Sequence, residues 1–167
     1  MEIQIRRATE EEMNAIAVLA AKEIYQGDFT KKEMRGWLTA QFPFAQHFVV
    51  TIGSKIVACA TWWLHDRFGN KQMLELSIIA VKSRYRRHGI GKELVRFSLE
   101  EVRKWWRDHD KGVSAVIVFT DQENLGSQAF YKAVLEPDQE VILKNVWGED
   151  GGSVIYVKRL EAAVVGD

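Results

Sequence analysis

The sequence predicts a mixed α/β fold, a mostly antiparallel sheet flanked by helices. Three patterns point there. Apolar residues of period two recur at the start, middle and end of the chain, helical periodicity lies between them, and one long helical crossover sits near the centre.

Ile3 and Ile5 alternate with Gln4 and Arg6, which reads as a first strand. Thr9 to Glu12 has the form of a capping box, and Met13, Ile16, Ala17 and Ala20 carry a helix from it to Ile24. Tyr25–Asp28 breaks that helix. Thr30-Lys31-Lys32-Glu33 repeats the capping signal, and Met34, Trp37 and Leu38 mark a second, shorter helix. Pro43 closes the region. His47–Ile52 and Lys55–Leu64 flank a Gly53-Ser54 turn and form a hairpin, and Gln72–Val81 follows a second turn at Asp66–Asn70. The apolar end Ile78-Ile79-Ala80-Val81 reads as covered on both faces.

The basic loop Lys82–His88 leads into the longest helix. Ile90, Leu94, Val95, Ser98, Val102, Trp105 and Trp106 share one face of it, and Gly112 closes it. Val113–Phe119 is a strand, and the long helix before it makes it parallel to its predecessor. Asn124–Leu135 is a helix that stops before Pro137. Val141–Lys144 and Ser153–Leu160 are strands around the Gly148–Gly152 turn. With no repeat, linker or low-complexity stretch, residues 1–160 read as a single domain and 161–167 as a disordered tail.

Composition narrows the function classes. Lys plus Arg and Asp plus Glu both number 23, so the net charge is zero. That argues against binding bare nucleic acid and against a polybasic membrane anchor. No run of about 18 apolar residues suggests a membrane span. The single cysteine, Cys59, excludes an internal disulfide and fits a cytoplasmic setting. On a strand it reads as a small buried hydrophobe. His47, His65, His88 and His109 lack metal-ligand spacing, so no metal is expected. Trp62 and Trp63 should point to opposite faces, one into the core and one towards a cleft. Trp37, Trp105 and Trp106 read as packing residues.

The most informative stretch is Arg86-Arg87-His88-Gly89-Ile90-Gly91-Lys92, between an apolar strand and a long amphipathic helix. A helix start has unpaired N–H groups and about half a positive charge, and glycine lets a phosphate approach the backbone. Arg86, Arg87 and Lys92 add cationic side chains, so the stretch suits a pyrophosphate. The plainer reading is that Gly89 and Gly91 only shape the helix entry. It is not a Walker loop, because Glu93 follows Lys92, nor a dinucleotide fingerprint, because Leu94 stands at the third glycine.

Arg86-x-x-Gly89-x-Gly91 after Ile79-Ala80-Val81 resembles the coenzyme A loop of the GCN5-related N-acetyltransferases (GNAT). Asn124, followed seven residues on by Tyr131, resembles the family's later helix, and the element order is similar over nearly the whole chain. The resemblance implies the acyl-CoA N-acyltransferase fold, with its sheet splayed at the centre and acetyl-CoA as cosubstrate in the gap. It implies that the backbone of Ile79, Ala80 and Val81 pairs with the pantetheine arm. The main chain of Arg87, His88, Gly89, Ile90, Gly91 and Lys92 would hold the pyrophosphate, and Asn124 would touch the coenzyme. Tyr131 would be the general acid for the thiolate, since a phenol of pKa about 10 is protonated at neutral pH.

Glu75 matches the place where part of the family has its general base. Glu75, Ser77 and Ile79 share a strand face, and desolvation between Leu74 and Leu76 would favour a proton acceptor. A salt-bridged sheet carboxylate is the equal alternative, with Asp121 and Glu123 in reserve as bases. Two departures stand out. Ribosomal-protein N-terminal acetylases have a Glu five residues before the Asn, where this chain has Phe119, and the family's Leu-Gly-Phe is replaced by Val134-Leu135-Glu136-Pro137.

The resemblance thus implies acetyl transfer from acetyl-CoA to a primary amine by direct attack in a ternary complex. The acceptor could be a small amine, a peptide N-terminus or a lysine side chain. The family shapes it with the segments corresponding to Tyr25–Phe29 and Trp147–Gly152, where Asp28, Glu149 and Asp150 could attract a cation. A homodimer is compatible. The alternatives are a coenzyme-binding regulatory module without catalysis and a different nucleotide binder using the same loop.

Overall fold

The computed structural model describes residues 3–25, 30–41, 45–65, 71–144 and 151–161. The turns expected at Asp66–Asn70 and over most of Gly148–Gly152, nearly all of Tyr25–Asp28, and the tail beyond Glu161 lie outside the described residues. In chain order the strands and helices are β1 (Ile3–Arg7), α1 (Met13–Glu23), α2 (Lys31–Gln41), β2 (Ala45–Ile52), β3 (Lys55–His65) and β4 (Lys71–Val81). There follow α3 (Ile90–Arg107), β5 (Gly112–Asp121), α4 (Leu125–Leu135), β6 (Gln139–Lys144) and β7 (Gly152–Arg159). Short 3-10 turns at Glu10–Glu12 and Ser83–Tyr85 lead into α1 and follow β4.

The strands form a seven-stranded sheet in the order β1-β2-β3-β4-β5-β7-β6. β1–β2, β2–β3, β5–β7 and β6–β7 are antiparallel, and β4–β5 is parallel, as the intervening α3 requires. This is the mixed, mostly antiparallel sheet with flanking helices that the sequence predicts. The β4–β5 ladder runs from Lys71↔Gly112 to Glu75↔Ile117. β4 continues past that point to Val81, and β5 continues to Asp121 paired with β7.

The chain divides into two compact units. The first comprises Met1–Trp63 and Ile78–Val102. Its core joins Met13, Ile16, Ala17, Leu19, Ala20 and Ala21 of α1 with Met34 and Leu38 of α2 and with Val49, Cys59, Ile78 and Ala80 of the sheet. The alanines let α1 approach its neighbours closely. Thr30 and Glu33 cap α2 reciprocally: Glu33 N–H donates to Thr30 Oγ1 at 3.2 Å, and Thr30 N–H donates to Glu33 Oε2 at 2.8 Å. Trp62 is buried and its Nε1–H donates to Ser98 Oγ of α3 at 2.8 Å, so the one polar atom of a large core ring is satisfied.

The second unit comprises Leu64–Ser77 and Arg103–Asp167. Val113, Val116, Val118, Leu135, Val154 and Tyr156 are buried in it. A Cβ at Gly152 would meet the end of the Gln122 side chain, which would have to move aside. Asp138 accepts the Arg159 backbone N–H at 2.6 Å, which ties the chain after α4 to the end of β7.

Three expectations are corrected. Gly112 does not close α3; it opens β5, and the left-handed residue after the helix is Asp110 at φ 56°. Trp37 is 41% exposed, because Met34 and Leu38 fill the buried face of α2. The Ile78–Val81 stretch is not covered on both faces: Ile78 and Ala80 are buried, Ile79 and Val81 only half-buried. No described helix is long and apolar enough to cross a membrane.

Candidate active site

Burial alternates along β4. Gln72, Leu74, Leu76, Ile78 and Ala80 are buried, while Met73, Glu75, Ser77, Ile79 and Val81 are half-buried on the opposite face. Glu75, Ser77 and Ile79 therefore share a face, as period two requires.

In the first unit, β4 runs into the Arg86–Lys92 segment. Arg87 and Gly89 both adopt positive φ, 62° and 79°. Such a value strains Arg87, which carries a Cβ, so its surroundings must hold it there, whereas Gly89 adopts it freely. Gly89 O accepts the Glu93 N–H at 3.0 Å and starts α3. The N–H groups of Ile90, Gly91 and Lys92 then fall in the first turn, where no intrahelical acceptor exists. A Cβ added at Gly89 would meet nothing within 4 Å. The space beside that backbone suits an anion, and the residues present fit a pyrophosphate.

The side chains of the loop divide into two groups. Arg86 does not offer a free cation as the sequence suggests: its Nε–H donates to Val81 O at 2.9 Å and its Nη2 to Glu23 Oε2 at 2.7 Å. Glu23 Oε2 also accepts the Ser83 N–H at 3.2 Å. The Glu23 side chain is nearly buried, so the pair fastens the loop to the end of α1 and to β4. His88 Nδ1–H donates to Arg86 O at 2.7 Å and stiffens the same turn. Arg87 and Lys92 are exposed.

In the second unit, Glu75 pairs with His65 at the end of β3; His65 Nε2 and Glu75 Oε2 are 2.6 Å apart. Tyr131 is buried on α4, its ring edge-on to Phe130 at 5.5 Å. Asn124 is the N-cap of α4, and its Oδ1 accepts the Ser127 N–H at 3.0 Å. Gln128 Nε2 donates to Gln122 O at 2.6 Å and Asp121 O at 3.2 Å, which seats α4 on the end of β5. Asp121 and Glu123 are exposed, and Phe119 is half-buried.

Cys59 is fully buried, and desolvation pushes its thiol up to about 12, so it is no nucleophile. Trp63 is half-buried where Trp62 is core, as alternation predicts. Among the described residues no group of three or more His, Cys, Asp or Glu is placed to hold a metal ion. Sequence reasoning missed two residues, His65 and Glu23. The partner of His65 lies across a hairpin and that of Glu23 in the distant loop after β4, and neither spacing forms a motif.

The Acetyltransferase (GNAT) family model matches residues 18–135. The fold is similar to that of the ribosomal-protein-S18-alanine N-acetyltransferase from Escherichia coli (18% identity, 99% of each chain covered, TM-score 0.74). It is also similar to a GNAT family acetyltransferase from Elizabethkingia anophelis with acetyl-CoA bound (13% identity, 95% of this chain and 98% of that one, TM-score 0.67). A third similar structure is a chain of the NatC complex bound to Gag peptide and CoA (18% identity, 96% and 99% covered, TM-score 0.69). No curated protein matches the chain.

Proposed function

The chain belongs to the GNAT family of acetyltransferases, and from that membership we propose that it transfers an acetyl group from acetyl-CoA to a primary amine by direct attack in a ternary complex. The observation that carries this reading is the turn at Gly89. Its positive φ, the open space beside it and the first-turn amides of α3 support a diphosphate as the ligand here. The two similar structures holding CoA or acetyl-CoA support the same ligand.

In this reading the main chain from Arg87 to Lys92 takes the pyrophosphate. The backbone of Ile79, Ala80 and Val81 takes the pantetheine arm as an added strand would. A β4 amide near Ile79 polarises the thioester carbonyl. Asn124 contributes its Nδ2 amide to the coenzyme while its Oδ1 caps α4. Tyr131 protonates the departing thiolate, and the Glu75–His65 pair removes the proton of the incoming amine. Holding thioester and amine together supplies much of the rate through orientation. The acceptor is a small amine or the amine of a peptide, the latter suggested by the peptide in the NatC structure.

The test is thiol release from acetyl-CoA across a panel of primary alkylamines and short peptides. Amine-dependent release with a matching acetylated product is expected. Turnover with no member of a broad panel, despite coenzyme binding, would favour a coenzyme-binding module without catalysis.

A further inference from the structure

The pairing of His65 with Glu75 assigns the two residues different tasks. At neutral pH a carboxylate only accepts hydrogen bonds, so the short 2.6 Å contact places the imidazole proton on Nε2. A neutral ring then carries its lone pair on Nδ1. The chain has four histidines, and the other three engage Nδ1: His47 with Thr61 Oγ1 at 2.9 Å, His88 with Arg86 O and His109 with Trp105 O, both at 2.7 Å. Among the described residues His65 is the one whose Nδ1 meets no partner. Its side chain is 38% exposed, against 22% for Glu75. Glu75 already has one oxygen occupied by the Nε2–H.

We propose that His65 Nδ1 is the proton acceptor for the attacking amine, and that Glu75 is a positioning residue that fixes the ring's tautomer and stabilises the imidazolium. The proposal rests on the amine-acetylation reading and names which member of the pair does the chemistry. It follows the physical logic of carboxylate–imidazole pairs generally. The ammonium R–NH3+ gives one proton to Nδ1, and the electron pair of that N–H bond stays on nitrogen. That pair forms the new C–N bond at the thioester carbon. The C–S bond breaks with its electrons on sulfur, which takes a proton. The nitrogen's second proton leaves as the intermediate collapses and balances the one gained by sulfur. The imidazolium then releases its proton to water, so the net reaction frees one proton.

The test uses the full chain with acetyl-CoA and the primary alkylamine the wild type acetylates fastest. His65→Ala is expected to lose roughly 10²–10⁴-fold in kcat with coenzyme A affinity within about twofold, and added imidazole should restore part of the rate. His65→Gln, which keeps the bulk and a hydrogen-bond donor, should be as slow. Glu75→Gln keeps an acceptor for Nε2–H and loses only the charge, so it should fall less than His65→Ala. Nitrogen NMR of the labelled imidazoles should show the Nε2–H form of His65 in the wild type and a tautomer mixture in Glu75→Ala. This readout works even if no amine in the panel turns over. Full activity in His65→Ala, a deeper loss in Glu75→Gln than in His65→Ala, or a wild-type ring protonated on Nδ1 would each overturn the proposal. Failure of the wild type to bind coenzyme A would instead strike the proposed function.

Discussion

His47 shows what burial does to a titratable side chain. It is 3% exposed, and desolvation pulls its imidazole down to about 4 from an ordinary 6.5. Between those two values the unfolded chain binds a proton that the folded chain does not. Stability should therefore fall as the pH drops from about 6.5 to 4, by about 3 kcal/mol when the gap is multiplied through. Denaturant melts at pH 7 and pH 4.5 should show the loss, and His47→Gln should reduce it. Glu12 contributes lower down: hydrogen bonds from Arg6 hold its carboxyl below the usual range, so its share is lost only as the pH falls through that lowered value. Tyr131 supports a separate prediction. Tyr131→Phe should lower kcat by about 10²-fold or more while leaving coenzyme affinity nearly unchanged, since only the proton donor is removed. A purely structural phenol would give equal activity with reduced stability. Cys59 and the Trp62/Trp63 alternation were legible from strand period alone. The pairing of His65 with Glu75 was not, because it depends on which residues a hairpin sets opposite each other, and a one-residue slip would reverse every face.

At the level of elements, the loop between β4 and α3 is held by contacts from outside it. Glu23, at the last turn of α1, fastens Arg86 and the Ser83 amide. Glu23→Ala should leave the Arg86 guanidinium without its carboxylate and loosen the turn, weakening coenzyme A binding by roughly tenfold, on the order of one hydrogen bond to a charged group. Calorimetry reads this directly, and unchanged affinity would show that the turn holds without the clasp. Asn124 separates its two tasks by substitution. Asn124→Ala should cost about 1 kcal/mol through the lost cap. Asn124→Ser keeps a capping oxygen and removes the Nδ2 donor without adding charge, so a loss of coenzyme affinity in it belongs to ligand contact. The capping boxes and the amphipathic α3 were readable because their signals are local. The end of α3 was misread because Asp110 took the left-handed position that Gly112 was expected to fill. The Ile78–Val81 stretch was misread because an apolar run does not reveal whether both faces are covered; here Ile79 and Val81 stay half-buried.

For the whole molecule, the family membership and the seven-stranded order agree with the element sequence read from the residues, since alternating period-two and helical segments restrict the possible topologies. The substrate amine was not legible in the same way. Phe119 stands where the resemblance places a glutamate in ribosomal-protein acetylases, and the similarity to the Escherichia coli enzyme, at 18% identity, is one of fold. A ligand that binds only the folded chain stabilises it, by about 2.7 kcal/mol at a concentration one hundred times its dissociation constant. Coenzyme A should accordingly raise the melting midpoint by roughly 5–10 °C. The most direct test is a calorimetric titration of coenzyme A into the wild-type chain and into Gly89→Val, whose side chain would enter the unfilled space at a positive φ. Saturable one-to-one binding in the wild type, weakened at least about tenfold in a folded Gly89→Val, is the result this account predicts. No binding of coenzyme A, with ATP or NAD bound in its place, would contradict it.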